Sequence, residues 1–356
     1  MDAMKIIHVV TGLGETSGVA TFCLRVAAEQ RATGATVRVW CHHRDSETTD
    51  IPIDYGTTPS VVDWEGIDLV HIHALWSLFL VRAMRWCWGR KIPFIVSPHG
   101  SLMPRVFTKS RVKKWVTWHL LIKPLVKRAA LIHCTSEAEK AACEALGLKG
   151  PFVVAPLGVD VPEEREKKKR GGKVLFLGRL GEEKGLEKLL EVWKKLGRSR
   201  DEWRLVIAGP DWEGYGENLR RKVAEEKIAG VEFTGPADAE MKDLLYREAD
   251  VFVLPSPMEN FSMVVLEALA YGVPAIATKG TPWAELAVEK CGWWIEQGVE
   301  PLRAALAEAM ALTDEARAEM GARGRELART KYSWKSVVEK VMGKVKGGLG
   351  EQRWRK

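Results

Sequence analysis

Short apolar runs alternate with helical stretches along this chain, and the alternation occurs twice. Ile6–Val10, Thr36–Cys41, Leu69–Ile72, Phe94–Ser97, Leu131–Thr135 and Phe152–Ala155 are β-branched or aromatic runs too short for helices. Amphipathic helices are predicted over Val19–Arg31 and Ser136–Leu146. Strands apolar on both faces and spaced by helices form a doubly wound parallel sheet. The pattern restarts with strands Val174–Leu177, Leu205–Ala208, Val231–Thr234, Val251–Leu254 and Ala275–Ala277, and helices Leu186–Leu196, Asn218–Glu226, Lys242–Glu248 and Val264–Ala270. No sequence repeat accompanies it, so two similar α/β folds in tandem are expected rather than an array.

A highly charged stretch, 163–172, follows Pro156 and Pro162 and reads as an interdomain linker. The expected domains are residues 1–160 and 173–334, joined by 161–172. A length of 356 residues is beyond the usual single core. Six scattered cysteines without a Cys-x-x-Cys pair argue against a zinc or disulfide framework and fit a reducing cytosol. The first apolar run, Ile6–Val10, is too short for the apolar core of a signal peptide, and no stretch of about 18 apolar residues follows. A cytoplasmic protein, neither exported by that route nor spanning a membrane, is expected.

The formal charge of +7 belongs to residues 1–170, which carry 24 Lys/Arg against 17 Asp/Glu; residues 171–356 balance 30 against 30. It concentrates in Arg105–Arg128, where eight basic residues without an acidic neighbour interleave with Trp115, Trp118, Leu120, Leu121 and Ile122. Two readings stand: a solvated helix face over the core, or a patch facing an anionic membrane surface. No nucleic-acid recognition motif accompanies the charge, so nucleic acid is not an expected partner.

In open α/β sheets ligands bind at the carboxyl ends of the strands, so the loops there are the ones to read. After the first strand, Thr11–Gly18 is rich in small residues and leads into a helix, which lets a backbone approach a phosphate or sugar. Its glycines lack the spacing of a dinucleotide fingerprint. Pro98-His99-Gly100 places a histidine just past a strand, where it can donate to a substrate oxygen. The pair His71 and His73 would share one face of a strand and is assigned no ligand. Gly178-Arg179 and Lys184-Gly185 set two cations on a loop that opens a helix, which suits a diphosphate. Gly209-Pro-Asp-Trp-Glu-Gly214 and the segment around Glu259 and Glu267 complete the set. On one straight helix those two glutamates would lie about 12 Å apart and roughly 80° out of phase. Pro255 and Pro257 disfavour helix before Glu259, whereas Val264–Ala270 reads as a buried helix ended by Gly272 and Pro274. Glu259 is therefore expected on a loop and Glu267 within the helix.

Together these residues resemble the retaining glycosyltransferases of family 4, over essentially the whole chain. Glu259 and Glu267 match the family's glutamate pair, with Pro255-Ser256 before it and Glu267-Ala-Leu-Ala-Tyr-Gly-Val-Pro274 after it. Gly178-Arg179 with Lys184-Gly185, Pro-His99-Gly and Pro156-Leu-Gly-Val-Asp160 match as well. The resemblance implies a GT-B fold, two Rossmann-like sheets facing across a cleft, and a last helix, 335–356, returning to the first domain with Val337, Val338 and Val341 as its apolar face. It implies that Arg179 and Lys184 bind the diphosphate of a UDP- or GDP-sugar and that Glu267 holds the ribose. Glu259, with the backbone of Asn260, Phe261, Ser262 and Met263, would hold the transferred sugar and diphosphate. His99 would touch the sugar, Gly18 would approach donor and acceptor, and Gly178, Gly209 and Pro236 would line the nucleotide. The sequence departs from the family at Ser17, beside the single glycine Gly18, and at Ser262, where glycine is common.

The implied reaction is transfer to an acceptor hydroxyl with retention, the leaving diphosphate taking the acceptor proton. With no Asp-x-Asp motif, a metal-independent enzyme without cofactor is expected. The expected acceptor is a glycan or lipid-linked molecule, as in cell-surface polysaccharide or glycolipid synthesis, with the enzyme peripheral at the inner face of the membrane. The rival reading is a nucleotide-sugar 2-epimerase of the same fold, which would convert its donor without an acceptor.

Overall fold

The structure is a computed structural model that describes residues 3–14, 17–43, 49–107, 111–164, 172–197, 202–259 and 261–350. The chain divides into two compact units: Met1–Gly158 with Trp334–Lys356, and Val159–Ser333.

In the first unit β1 (Lys5–Val10), β2 (Thr36–Cys41), β3 (Ile53–Tyr55), β4 (Leu69–His73), β5 (Phe94–Ser97), β6 (Leu131–Cys134) and β7 (Phe152–Val154) form one parallel sheet in the order β3-β2-β1-β4-β5-β6-β7. Alternate residues of β1 serve two cores. Ile7 and Val9 pack with Val70, Ile72 and the helix Leu78–Gly89. Ile6 and Val10 pack with the helix Gly18–Ala32 and with Val337, Val338, Val341 and Val345 of the final helix, Trp334–Gly350. Those valines share one stripe of that helix, which is why it docks on the sheet.

The second unit holds β8 (Gly172–Leu177), β9 (Trp203–Ala208), β10 (Val231–Gly235), β11 (Val251–Leu254), β12 (Ala275–Thr278) and β13 (Gly292–Ile295), all parallel, in the order β10-β9-β8-β11-β12-β13. In each sheet the strand order reverses once, between β1 and β4 and between β8 and β11. The connections leave in opposite directions there and open a crevice at the carboxyl ends.

Two strands had no counterpart in the sequence reading. β3 and β13 lie at sheet edges and are only half buried along their length, so neither forms a continuous apolar run. The helix Leu78–Gly89 was also not read: it buries Phe79, Leu80, Val81, Ala83, Met84 and Cys87, leaving no clean polar stripe.

Candidate active site

The reversal point of the second sheet brings together the loops after β8 and β11. Gly185 sits between them in a left-handed conformation (φ 71°), and a Cβ there would come within 2.5 Å of the Pro255 carbonyl oxygen. That close approach needs glycine. It places Lys184 against the second loop, where its Nζ donates to Glu259 Oε1 at 2.6 Å. The two side chains are mostly buried, with 19% and 13% of their surfaces exposed. Arg179 is held differently. It donates to Glu183 at 2.6 Å and lies over the Trp212 ring at 4.4 Å, with its guanidinium half exposed. One cation is thus enclosed and one is presented to solvent. Gly178, Gly209 and Pro236 stand at the ends of the adjacent strands β8, β9 and β10, and the Gly209 N–H donates to the Gly235 carbonyl at 2.7 Å.

The helix Met263–Ala270 follows, with Ser262 as its first flanking residue. The Val265 N–H donates to the Ser262 carbonyl at 3.1 Å, and the first-turn N–H groups together favour negative charge. Glu267 lies one turn in and accepts from the Tyr246 hydroxyl at 2.7 Å. Burial, and then the Glu267 charge, push the Tyr246 phenol well above its ordinary range, so it remains a donor. Glu259 is on the loop and Glu267 in the helix, where proline and glycine placed them. The Phe261 ring is buried and its carbonyl accepts from Trp283 Nε1 at 2.5 Å. Asn260 lies outside the described residues.

In the first unit, His99 follows β5 with φ 51°. Its Nε2 lies 3.1 Å from His73 Nδ1, and its ring meets Phe22 edge-on at 4.9 Å. Burial pushes its imidazole down to about 3, so it is neutral at physiological pH. The next residue, Gly100, donates its N–H to Glu139, which is fully buried and also accepts from Thr135 N and Oγ1 at 2.7 and 2.9 Å. Gly18 opens its helix beside Ser17, whose Oγ accepts from Ala20 N at 3.3 Å. A Cβ on Gly18 would meet nothing within 4 Å, so the unit's own packing does not demand glycine there.

Residues 160–327 match the family described as glycosyl transferases group 1, and residues 49–163 match glycosyltransferase family 4. The chain belongs to these glycosyltransferases. It is 26% identical over 305 residues to the GDP-mannose:cellobiosyl-diphosphopolyprenol alpha-mannosyltransferase of Xanthomonas campestris, spanning 84% of this chain and 79% of that one. Over 365 residues, 91% of each chain, it is 26% identical to the phosphatidyl-myo-inositol mannosyltransferase of Mycobacterium leprae. The crystal structure of Anabaena HepE in complex with UDP superposes with a TM-score of 0.77 at 18% identity, covering 97% of this chain and 100% of that one. That likeness carries the GT-B fold.

In this glycosyltransferase the backbone at position 262 is one that favours glycine. Ser262 adopts φ 70°, ψ 75°, which costs a non-glycine residue about 1 kcal/mol or more. Its buried Oγ also lacks a partner among the described residues. Ser262→Gly is therefore expected to raise unfolding stability by about 1 kcal/mol, read as a higher urea midpoint; an unchanged or lower midpoint would show that the strain is absent. The sequence reading missed Glu139 because it falls in an amphipathic helix of ordinary charged composition. Its one signal is Ser136-x-x-Glu139, a capping-box pattern. Ser136 Oγ does cap Glu139 N at 3.1 Å, but the carboxylate turns away to clamp the His99 turn.

Proposed function

We propose that this glycosyltransferase moves a sugar, with retention, from a UDP- or GDP-sugar to a hydroxyl of a glycan or lipid-linked acceptor. The observation that carries the reading is the enclosed Lys184–Glu259 pair at the sheet reversal, beside the start of the helix Met263–Ala270. Arg179, Lys184 and its first-turn N–H groups form a cationic cradle for a diphosphate, with Gly178, Gly209 and Pro236 at the nucleotide end. Glu267, its free oxygen acting as acceptor, takes the ribose hydroxyls, and Glu259 takes the sugar. When the donor bond breaks, negative charge grows on the diphosphate, and fixed cations stabilise it without reorganising. The leaving oxygen then accepts the acceptor proton on the same face. In the first unit, Gly18 and His99 follow the carboxyl ends of β1 and β5. Of the relatives named above, one is a GDP-mannose:cellobiosyl-diphosphopolyprenol mannosyltransferase and another a phosphatidyl-myo-inositol mannosyltransferase, which supports a lipid-linked acceptor.

The test is incubation with GDP-mannose and UDP-sugars, with and without lipid-linked acceptor, following product anomericity by NMR. Acceptor-dependent transfer with retention is expected. Conversion of a UDP-sugar without acceptor would establish the epimerase instead. Since Arg179 and Lys184 supply the positive charge, turnover is expected to persist in excess EDTA; its loss at a temperature where the protein stays folded would sink metal-independent transfer.

The enzyme is proposed to be cytoplasmic and to dock on the inner face of an anionic membrane through Arg105–Arg128. Among the described residues, no helix is long and apolar enough to cross a bilayer. The helical stretch Arg111–Val126 turns Trp118, Ile122, Leu125 and Val126 into the core. It leaves Val112, Trp115 and Leu120 at 79%, 60% and 71% exposed among the lysines and arginines. That division suits a helix lying in the headgroup region. Flotation with anionic liposomes, lost in Trp115→Ala/Leu120→Ala, is expected; failure to float with either anionic or neutral liposomes would remove the proposal.

A further inference from the structure

Five of the eight histidines of this chain, His8, His71, His73, His99 and His133, gather at one face of the first unit's sheet. Register explains the grouping. His8 on β1 pairs with His71 on β4, and His73 pairs with Ser97 on β5. His8, His71 and His73 are each fully buried. One ring nitrogen from each lies within 4.8 Å of the others.

The outward nitrogen of each ring already has a fixed partner. His8 Nε2 lies 2.7 Å from Gln30 Oε1, His71 Nε2 lies 2.7 Å from Ser97 Oγ, and His73 Nδ1 lies 3.1 Å from His99 Nε2. The Gln30 amide is itself oriented, its Nε2 donating to Met342 Sδ at 3.4 Å. The nitrogens left over are His8 Nδ1, His71 Nδ1 and His73 Nε2. Two of them share a single hydrogen across 2.9 Å, and the third, His71 Nδ1, is buried with no partner among the described residues. An unpaired buried lone pair is costly, and a fully apolar or fully hydrogen-bonded core would not leave one.

We propose that His8, His71 and His73 form a binding site for a late first-row divalent ion, with zinc as the fitting case. Three imidazoles supply three of the four ligands zinc takes, and imidazole suits the late divalent metals generally. Metal-bound histidines characteristically give their second N–H to a fixed acceptor, which here falls to Gln30, Ser97 and His99. Burial pushes His8 down to about 4 and holds His71 and His73 well below the ordinary imidazole range, so all three offer neutral rings. Binding needs no net proton release. The hydrogen between His8 and His73 leaves His73 Nε2 and reappears on His73 Nδ1, which donates it to His99. The His99 hydrogen moves likewise from Nε2 to Nδ1. The ion joins β1 to β4 in the core, one hydrogen bond from His99, while the diphosphate falls to Arg179 and Lys184 of the other unit.

Because the site is buried, zinc is supplied during synthesis: protein expressed in zinc-supplemented medium is desalted and its metal content measured. About one zinc per chain is expected, with a melting temperature that falls when a chelator removes it. Cobalt(II) in place of zinc is expected to show the visible band of a four-coordinate ion. His71→Asn, and independently His8→Gln and His73→Gln should one variant fail to fold, are expected to lose both the metal and the chelator sensitivity. His42→Ala/His43→Ala, which removes a neighbouring histidine pair outside the set, is expected to keep both. Zinc-free wild-type protein, or zinc that persists in the first three variants and leaves with the last, would overturn the site.

Discussion

Lys184→Ala is expected to lower kcat on the order of 10²- to 10³-fold while changing the KM for donor far less. Lys184 acts on charge that is small in the bound donor and large as the diphosphate leaves, so its removal is felt at the transition state. The geometry strengthens the expectation. The ammonium is held at 2.6 Å by Glu259 and four-fifths withdrawn from water, so it has neither to be ordered nor to be stripped of solvent during the reaction. The same enclosure predicts a second effect. Alanine leaves Glu259 largely buried without its cation, which is expected to cost about 1–3 kcal/mol of unfolding stability. Lys184→Ala/Glu259→Gln is expected to recover that stability and none of the kcat. Steady-state kinetics and urea melts on the three proteins separate the two losses. A kcat within a few-fold of wild type would exclude Lys184 from transition-state stabilisation.

The second large effect is structural. Gly209→Ala is expected to destabilise the second unit by about 3 kcal/mol or more, enough to shift its urea midpoint clearly. At φ 142° the backbone conformation is one that side chains seldom adopt. A Cβ would also stand 1.8 Å from the Gly178 carbonyl oxygen, so no rotamer of a neighbour can relieve the contact. The strain passes directly to Arg179, and donor affinity is expected to fall with stability. Gly18 makes a sharp contrast, because the space beside it in the first unit is open. An unfolding free energy within about 0.5 kcal/mol of wild type would mean that the β8 and β9 ends separate easily, against the packing described.

Much of the second unit's site was legible from sequence because its parts are local. Prolines at 255 and 257 separate Glu259 from the helix bearing Glu267, and Gly185 punctuates the loop carrying Lys184. What each side chain does there was not legible. The sequence assigned Lys184 to phosphate and Glu259 to sugar as separate tasks, whereas the fold joins them in one ion pair across 75 residues. Arg179, equivalent on paper, is instead stacked on Trp212. The Arg105–Arg128 stretch shows the same limit. Its apolar residues looked alike in sequence, and only packing sorts Trp118 into the core from Trp115 on the surface.

By itself the sequence determined the two parallel α/β sheets, the loops at their carboxyl ends and the family. Each follows from burial patterns and turn residues within a few positions of one another. The tertiary structure alone decided which loops meet. Strand order sets β1 beside β4 and β8 beside β11, and no local propensity encodes that order. From it come the Lys184–Glu259 pair, the Tyr246 donor on Glu267 and the Glu139 clamp beneath His99. The histidines show the difference most clearly. His71 and His73 were an unassigned pair until the fold brought His8 from one neighbouring strand, Ser97 from the other and Gln30 from the covering helix, leaving one lone pair without a partner among the described residues.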